Sequence, residues 1–174
     1  MGRTEAVHST APFHVFVDYA HTPDALEAVL GAARPLVRGR LIVLFGCGGD
    51  RDRGKRPEMA QAVEHWADEI ILTSDNPRSE DPNAILADVV EGFTPETLKT
   101  KVWTDPDRTR AIEHAIAIAR PGDAVFLCGK GHEDYQEIKG VKSHFLDHEV
   151  AARALGAAGL PLSKGPTPPG GDGS

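Results

Sequence analysis

Asp75, Asn76 and Arg78 stand within four residues of one another in TSDNPRSEDP (73–82), directly after the apolar run EIILT. An amide that donates and accepts, a carboxylate that accepts and a guanidinium fork suited to a carboxylate can together hold the charged ends of a small zwitterion. The plainer account of these residues is a turn, with Arg78 in water and Asp81-Pro82 capping the next helix. A second concentration, GCGGDRDRGKRPE (46–58), sets Gly46, Gly48 and Gly49 ahead of Arg51, Arg53, Lys55 and Arg56. Glycines permit close backbone approach, and clustered cations at a helix start suit a phosphate or carboxylate. The spacing is neither a Walker A loop nor a Gly-x-Gly-x-x-Gly fingerprint.

In DYAHTPD (18–24), Asp18 can accept hydrogen bonds from a hydroxyl pair and His21 can stack on or bond to a base. Equally, the aspartate can hold the turn and the histidine can be satisfied locally. In GKGHEDY (129–135), Gly129 and Gly131 bring backbone close and Glu133 can pair with an ammonium. Lys130 and His132 serve an anion or simply shape that loop. The stretch lacks the His-Glu-x-x-His spacing of a zinc helix. WTDPDR (103–108) reads as a strand end and helix cap with no chemical role. No serine, histidine and acid declare a nucleophile, and no set of carboxylates declares a metal site. The pattern is that of a protein built to bind.

These segments must be positioned by the elements between them. HVFVD (14–18), LIVLFG (41–46), EIILT (69–73) and AVFLCG (124–129) are continuous apolar runs, as strands covered on both faces read. Helical patterns alternate with them at 22–37, 56–67, 81–92, 105–119 and 147–159. Thr22-Pro23 and Asp81-Pro82 pair an N-cap residue with proline at the first helical position. KVWT (101–104) is a further strand, and Lys139-Gly140 turns a terminal hairpin within 135–145. The alternation predicts one α/β sandwich with a mainly parallel sheet and an antiparallel hairpin. Polar ligands then meet the carboxyl ends of the strands, where all five polar segments begin.

Composition narrows the classes further. With 174 residues, 40% of them hydrophobic, the chain supports one core. A formal charge of -7 argues against a nonspecific nucleic-acid binder, which needs clustered cations. No apolar stretch approaches the roughly 20 residues that span a bilayer, and there is no secretory h-region, so no membrane partner is expected. Cys47 and Cys128 each adjoin glycine after an apolar run and read as small buried thiols of a cytoplasmic protein. The end PLSKGPTPPGGDGS has little to bury and is expected to be disordered. The start, MGRTEAV, reads either as a chain entering from a neighbouring domain or as an ordinary frayed terminus.

Taken in order, GRTE (2–5), DYAHTPD, GCGGDRDRGKRPEM (46–59), DNPR (75–78) and GKGHEDY resemble the C-terminal domain of the Mur ligase family, in its diaminopimelate-adding branch. The resemblance extends from about residue 2 to residue 159. DYAHTPD alone points only to the wider superfamily, which includes folylpolyglutamate synthetases. DNPR is sharper: it resembles the diaminopimelate-selecting motif, and lysine-adding relatives lack this arginine. The resemblance implies a Rossmann-like three-layer sandwich with residues 1–12 as an interdomain linker end, 13–160 as the Mur ligase C-terminal domain and 161–174 as a disordered tail.

For the site, the resemblance implies that Arg3 reaches ATP phosphate, Asp18 lies near the ribose and His21 near the adenosine side. Arg51, Asp75, Asn76, Arg78, Gly129 and Glu133 are the implied meso-diaminopimelate contacts. ATP with Mg2+ is the implied cofactor pair, forming an acyl phosphate at a D-glutamate γ-carboxylate that the incoming amine attacks. The family's phosphate loop, Mg2+ ligands and carbamoylated lysine lie in a central domain, and its UDP-N-acetylmuramoyl-L-alanyl-D-glutamate site lies mostly in an N-terminal domain. Neither is present in this sequence. The chain is accordingly expected to partner N-terminal and central Mur ligase domains and to be inactive alone. The alternative is a non-catalytic nucleotide- or amino-acid-binding module with the same fold.

Overall fold

The computed structural model of the protein describes residues 4–163. The chain opens with strands β1 (Thr4–Ala6) and β2 (His14–Asp18), helix α1 (Pro23–Ala33), a 3-10 turn (Arg34–Leu36), β3 (Leu41–Phe45) and α2 (Lys55–Trp66). It continues through β4 (Glu69–Leu72), α3 (Pro82–Val90), α4 (Pro95–Thr100), β5 (Val102–Thr104), α5 (Arg108–Ile118) and β6 (Ala124–Cys128). A hairpin, β7 (Tyr135–Ile138) and β8 (Val141–His144), precedes the last helix α6 (Asp147–Ala157).

Six strands form one sheet in the order β1-β2-β6-β3-β4-β5, and all pairs are parallel except β1 with β2. The expected α/β architecture is therefore present. β3 and β6 sit at the centre and are buried at every position. Alternation along them separates two apolar layers. Leu41, Val43, Phe45 and Phe126 pack with α1, α2 and α3, whereas Ile42, Leu44, Val125 and Leu127 pack with α5 and α6. Side chains thus point to opposite faces with a period of two, and helices cover both.

Proline-led caps start three of the helices. Thr22, Asp81 and Thr94 each accept a hydrogen bond from a backbone N–H of the first turn, with Pro23, Pro82 and Pro95 following. The third cap starts α4, which the apolar pattern did not announce, because Leu98 is its one large apolar residue and is itself exposed. β1 was equally hidden. Its three residues, Thr-Glu-Ala, carry no apolar run and are ordered by backbone pairing to the open edge of β2.

The hairpin stands as a separate two-stranded sheet turning through Lys139 (φ 53°) and Gly140 (φ 77°). Positive φ at both central residues is what a type I′ turn requires. It joins the body through a bridge between Ile138 and Arg78. At the other end of the chain, residues 161–163 run antiparallel to residues 8–10, with Thr10 N donating to Pro161 O and Ser163 N to His8 O. Backbone pairing thus holds the first three residues of the expected tail against the start of the chain. The remainder of the expected tail, 164–174, lies outside the described residues.

β6 inserts between β2 and β3, so the connections run in opposite directions from that point. In an open parallel sheet the crevice outside the carboxyl ends of such strands is where ligands sit.

Candidate functional site

The loops leaving β2, β3, β4 and β6 enclose a cleft of about 440 Å3 at that position, with Tyr135 of β7 closing one side. His21, Arg51, Asn76, Arg78 and Glu133 all border it. Four of the polar segments singled out by sequence therefore meet in one place.

The β3 loop can lie against the 73–78 segment because it lacks side chains there. A Cβ on Gly49 would stand 1.8 Å from the Pro77 carbonyl oxygen, and one on Gly46 would stand 2.4 Å from that of Thr73. Gly49 N instead donates to Asn76 O at 2.7 Å. Asp50, at φ 55°, turns its carboxylate onto the Ser79 N–H and hydroxyl.

The four cations of this loop divide sharply. Arg56 is buried and spans Glu80, Asp88 and the Gly48 carbonyl. Its hydrogen bond to Glu80 raises its pKa and holds the Glu80 carboxyl below the usual range. Arg53 pairs with Asp88 at the surface. Arg51 and Lys55 remain at the cleft, and among the described residues the Arg51 side chain bonds only the neighbouring Asp50 carbonyl. The cationic cluster expected from sequence is thus half structural brace and half open charge.

In the 75–78 segment, Asn76 is buried and its amide is almost fully used. Its Oδ1 accepts from Lys130 Nζ at 2.9 Å and from Glu137 N at 3.0 Å, and its Nδ2 donates to Glu133 Oε1 at 3.1 Å. One N–H is left for a ligand. Arg78 adopts φ 52°, with its backbone N–H donating to Glu137 O and its carbonyl accepting from Lys139 N. The hairpin therefore fixes the arginine's backbone. Among the described residues the guanidinium hydrogen-bonds only carbonyls, those of Gly49 at 2.9 Å and Asn76 at 3.4 Å. Among the described residues no carboxylate pairs with Arg78, although Arg34, Arg40, Arg53, Arg56, Arg108 and Arg110 all have one.

The β6 loop supplies the opposite charge. Gly129 takes φ 114°, which directs the chain across the mouth of the sheet. Glu133 keeps Oε1 on Asn76 and Lys130 and borders the cleft. Lys130, left open between two roles by the sequence, is completely buried and is a brace. Burial pulls its pKa below the ordinary lysine value, against the opposing effect of Asp75.

Arg108, which no motif points to, is a second brace. It makes a two-pronged pair with Asp147 at 2.8 and 2.7 Å, both side chains fully buried, and also donates to Ser74 O and Cys128 O. One guanidinium therefore ties the ends of β4 and β6 to α5 and α6. The signal for it was its position in register with the apolar stripe of α5, Ala111, Ile112, Ala115 and Ile116.

In the β2 turn the two expected nucleotide contacts differ in exposure. Asp18 is fully buried, with its oxygens accepting from Ala20 N and the Thr4 hydroxyl. It shapes the turn and does not border the cleft, which is the local alternative that its residue type also allowed. His21 is exposed, bonds Tyr19 O at 2.9 Å and meets the Tyr19 ring edge-on at 4.7 Å. Arg3, the other expected nucleotide contact, lies outside the described residues. Among the described residues no group of three His, Cys, Asp or Glu side chains could hold a metal ion, and no helix is long and apolar enough to cross a membrane.

Comparison with known proteins gives a consistent picture. Residues 2–131 match the family described as Mur ligase, glutamate ligase domain. The UDP-N-acetylmuramoyl-L-alanyl-D-glutamate–2,6-diaminopimelate ligase of Aquifex aeolicus is 54% identical over 158 residues, covering 91% of this chain and 32% of that protein. The ligase of the same name from Pseudomonas aeruginosa is 57% identical over 147 residues, covering 84% and 30%. A solved structure of a ligase with that name superposes with a TM-score of 0.85 at 45% identity, covering 91% of this chain and 32% of that one. The chain thus spans about a third of the length of the relatives it matches.

Proposed function

The chain belongs to the Mur ligase family, in its glutamate ligase domain, and from that premise we propose that it selects and presents meso-diaminopimelate within an ATP-dependent amide-forming ligase. One observation carries the substrate assignment: Arg78 is a partly buried arginine at the cleft wall without a carboxylate partner among the described residues. A desolvated guanidinium calls for an anion, and a ligand supplies it here.

Arg78 and Arg51 take carboxylates of the diaminopimelate, while Glu133 and the Gly129 carbonyl take an ammonium. Asp75 and Asn76 form the wall between these ends. Lysine lacks the distal carboxylate and would leave Arg78 without its counter-charge, a mismatch that a polar site rejects strongly. His21, with Tyr19 beside it, offers a stacking face for the adenosine side of ATP, and Asp18 contributes by holding that turn. Arg3 is assigned to ATP phosphate.

The acceptor UDP-N-acetylmuramoyl-L-alanyl-D-glutamate and the Mg2+ ligands belong to the N-terminal and central domains of the full-length protein, placed in the cytoplasm. Residues 1–12 lead in from those domains, and the amino-acid-binding domain follows. What this chain's residues do is hold and orient the amine so that it meets an activated carboxyl group presented from outside it. The test is ATP consumption and amide formation by the full-length protein with meso-diaminopimelate and with lysine. Diaminopimelate-dependent turnover at least about tenfold above that with lysine supports the assignment. Equal use of both, or binding without any turnover, overturns it.

A further inference from the structure

We propose that Lys130 is a positioning residue that sets the charge of the amine-accepting end of the cleft, matching it to a single ammonium group. The inference rests on the proposed function and deepens it. Lys130 is completely buried and does not border the cleft, so it acts only through its neighbours. Three oxygens from three side chains surround its Nζ: Asn76 Oδ1 at 2.9 Å, Glu133 Oε1 at 3.4 Å and Asp75 Oδ1 at 3.5 Å. An ammonium carries three N–H donors and no acceptor, whereas a neutral amine would turn a lone pair toward these oxygens.

Each neighbour depends on that cation differently. Asp75 Oδ1 is buried and accepts no hydrogen bond, so the Lys130 charge is its compensation. Asn76 is oriented by it, because Lys130 and Glu137 N both donate to Oδ1 and so direct Nδ2 toward Glu133. Glu133 has one oxygen occupied by Lys130 and Asn76, while the other has no hydrogen-bond partner among the described residues. Two carboxylates and one ammonium leave a single negative charge, which one ligand ammonium neutralises. Without the Lys130 charge the same wall would hold two negative charges, an uncompensated buried oxygen and an amide whose Oδ1 keeps only the Glu137 N–H. Like charges held close in a partly desolvated site disfavour one another strongly.

The experiment uses the full-length protein with Lys130→Met and Lys130→Gln, which remove the charge with little change of length. Glutamine also keeps an N–H for Asn76 and carries the same readouts if the methionine variant does not fold. The expected result is a KM for meso-diaminopimelate raised about tenfold or more, with the KM for ATP within about twofold. Adding Asp75→Asn should recover at least about threefold of the loss, because it returns the wall to one negative charge. A purely packing role produces neither the split nor the recovery. An unmoved KM for diaminopimelate, a parallel rise in both KM values, or a further loss on adding Asp75→Asn overturns the inference. Wild type that shows no diaminopimelate-dependent turnover overturns the proposed function, and this inference with it. Normal wild-type turnover with unaffected Lys130 variants overturns this inference alone.

Discussion

Arg78→Ala removes a guanidinium whose one Nη bonds the Gly49 and Asn76 carbonyls, leaving the rest of the fork open to the cleft. A carboxylate bound there would gain up to two hydrogen bonds to a charged donor, each worth about 1.5–3 kcal/mol. Losing them should raise the barrier for diaminopimelate by roughly 3 kcal/mol, which is about two orders of magnitude in kcat/KM. The KM for ATP should change little, since His21 and Tyr19 lie in the β2 turn. Losing the carbonyl contacts adds a stability cost of about 1 kcal/mol. Left-handed φ is as awkward for alanine as for arginine, so no relief of strain offsets that cost. Arg78→Lys should recover only part of the rate, because a point charge does not reproduce a planar fork. The assay is steady-state kinetics of the full-length protein with diaminopimelate and lysine as competing substrates, alongside a thermal melt. Unchanged diaminopimelate kinetics, or an equal loss on both substrates in a stable variant, would refute the selector role and return Arg78 to a loop brace.

Three further outcomes follow from the braces around the cleft. Arg108→Ala strands the buried Asp147 carboxylate and frees two strand-end carbonyls, so stability should fall by about 3–5 kcal/mol and Tm by roughly 10 °C; a melt within about 2 °C of wild type would contradict the geometry. Gly49→Ala forces a Cβ onto the Pro77 carbonyl oxygen and should cost about 1–3 kcal/mol or more while raising the KM for diaminopimelate, whereas Gly156→Ala, in α6 with nothing within 4 Å, should leave that KM unchanged. Burial pushes the Cys47 thiol up to about 12, with Asp75 adding to the effect, and burial pushes Cys128 up as well. Neither cysteine should react with a thiol reagent near pH 8 until the protein is unfolded, and rapid labelling of the native protein would show that the strand ends open.

Local features of the sequence determined the elements. Four continuous apolar runs became the parallel strands β2, β3, β4 and β6, threonine-proline and aspartate-proline pairs started α1 and α3, and Lys139-Gly140 made the hairpin turn. Backbone conformation and face periodicity depend on neighbours a few residues away, so they are legible in one line of text. The motifs also indicated which segments would gather, because DYAHTPD, GCGGDRDRGKRPEM, DNPR and GKGHEDY all lie at strand ends. Tertiary structure decided which charges in those segments remain free. Arg51 and Arg56 lie five positions apart in one loop, yet Glu80 and Asp88 reach Arg56 from the β4–α3 connection and from α3, leaving Arg51 open. Asp18 was turned inward by Thr4 of β1, a strand with no apolar signature. Lys130 became a brace because Asp75 and Asn76 approach it from the neighbouring loop, and Arg108 became one because α6 delivers Asp147. A charged side chain is neutralised by whatever the folded chain brings within about 4 Å, and that partner is set by strand order and helix packing, not by the residues beside it in sequence.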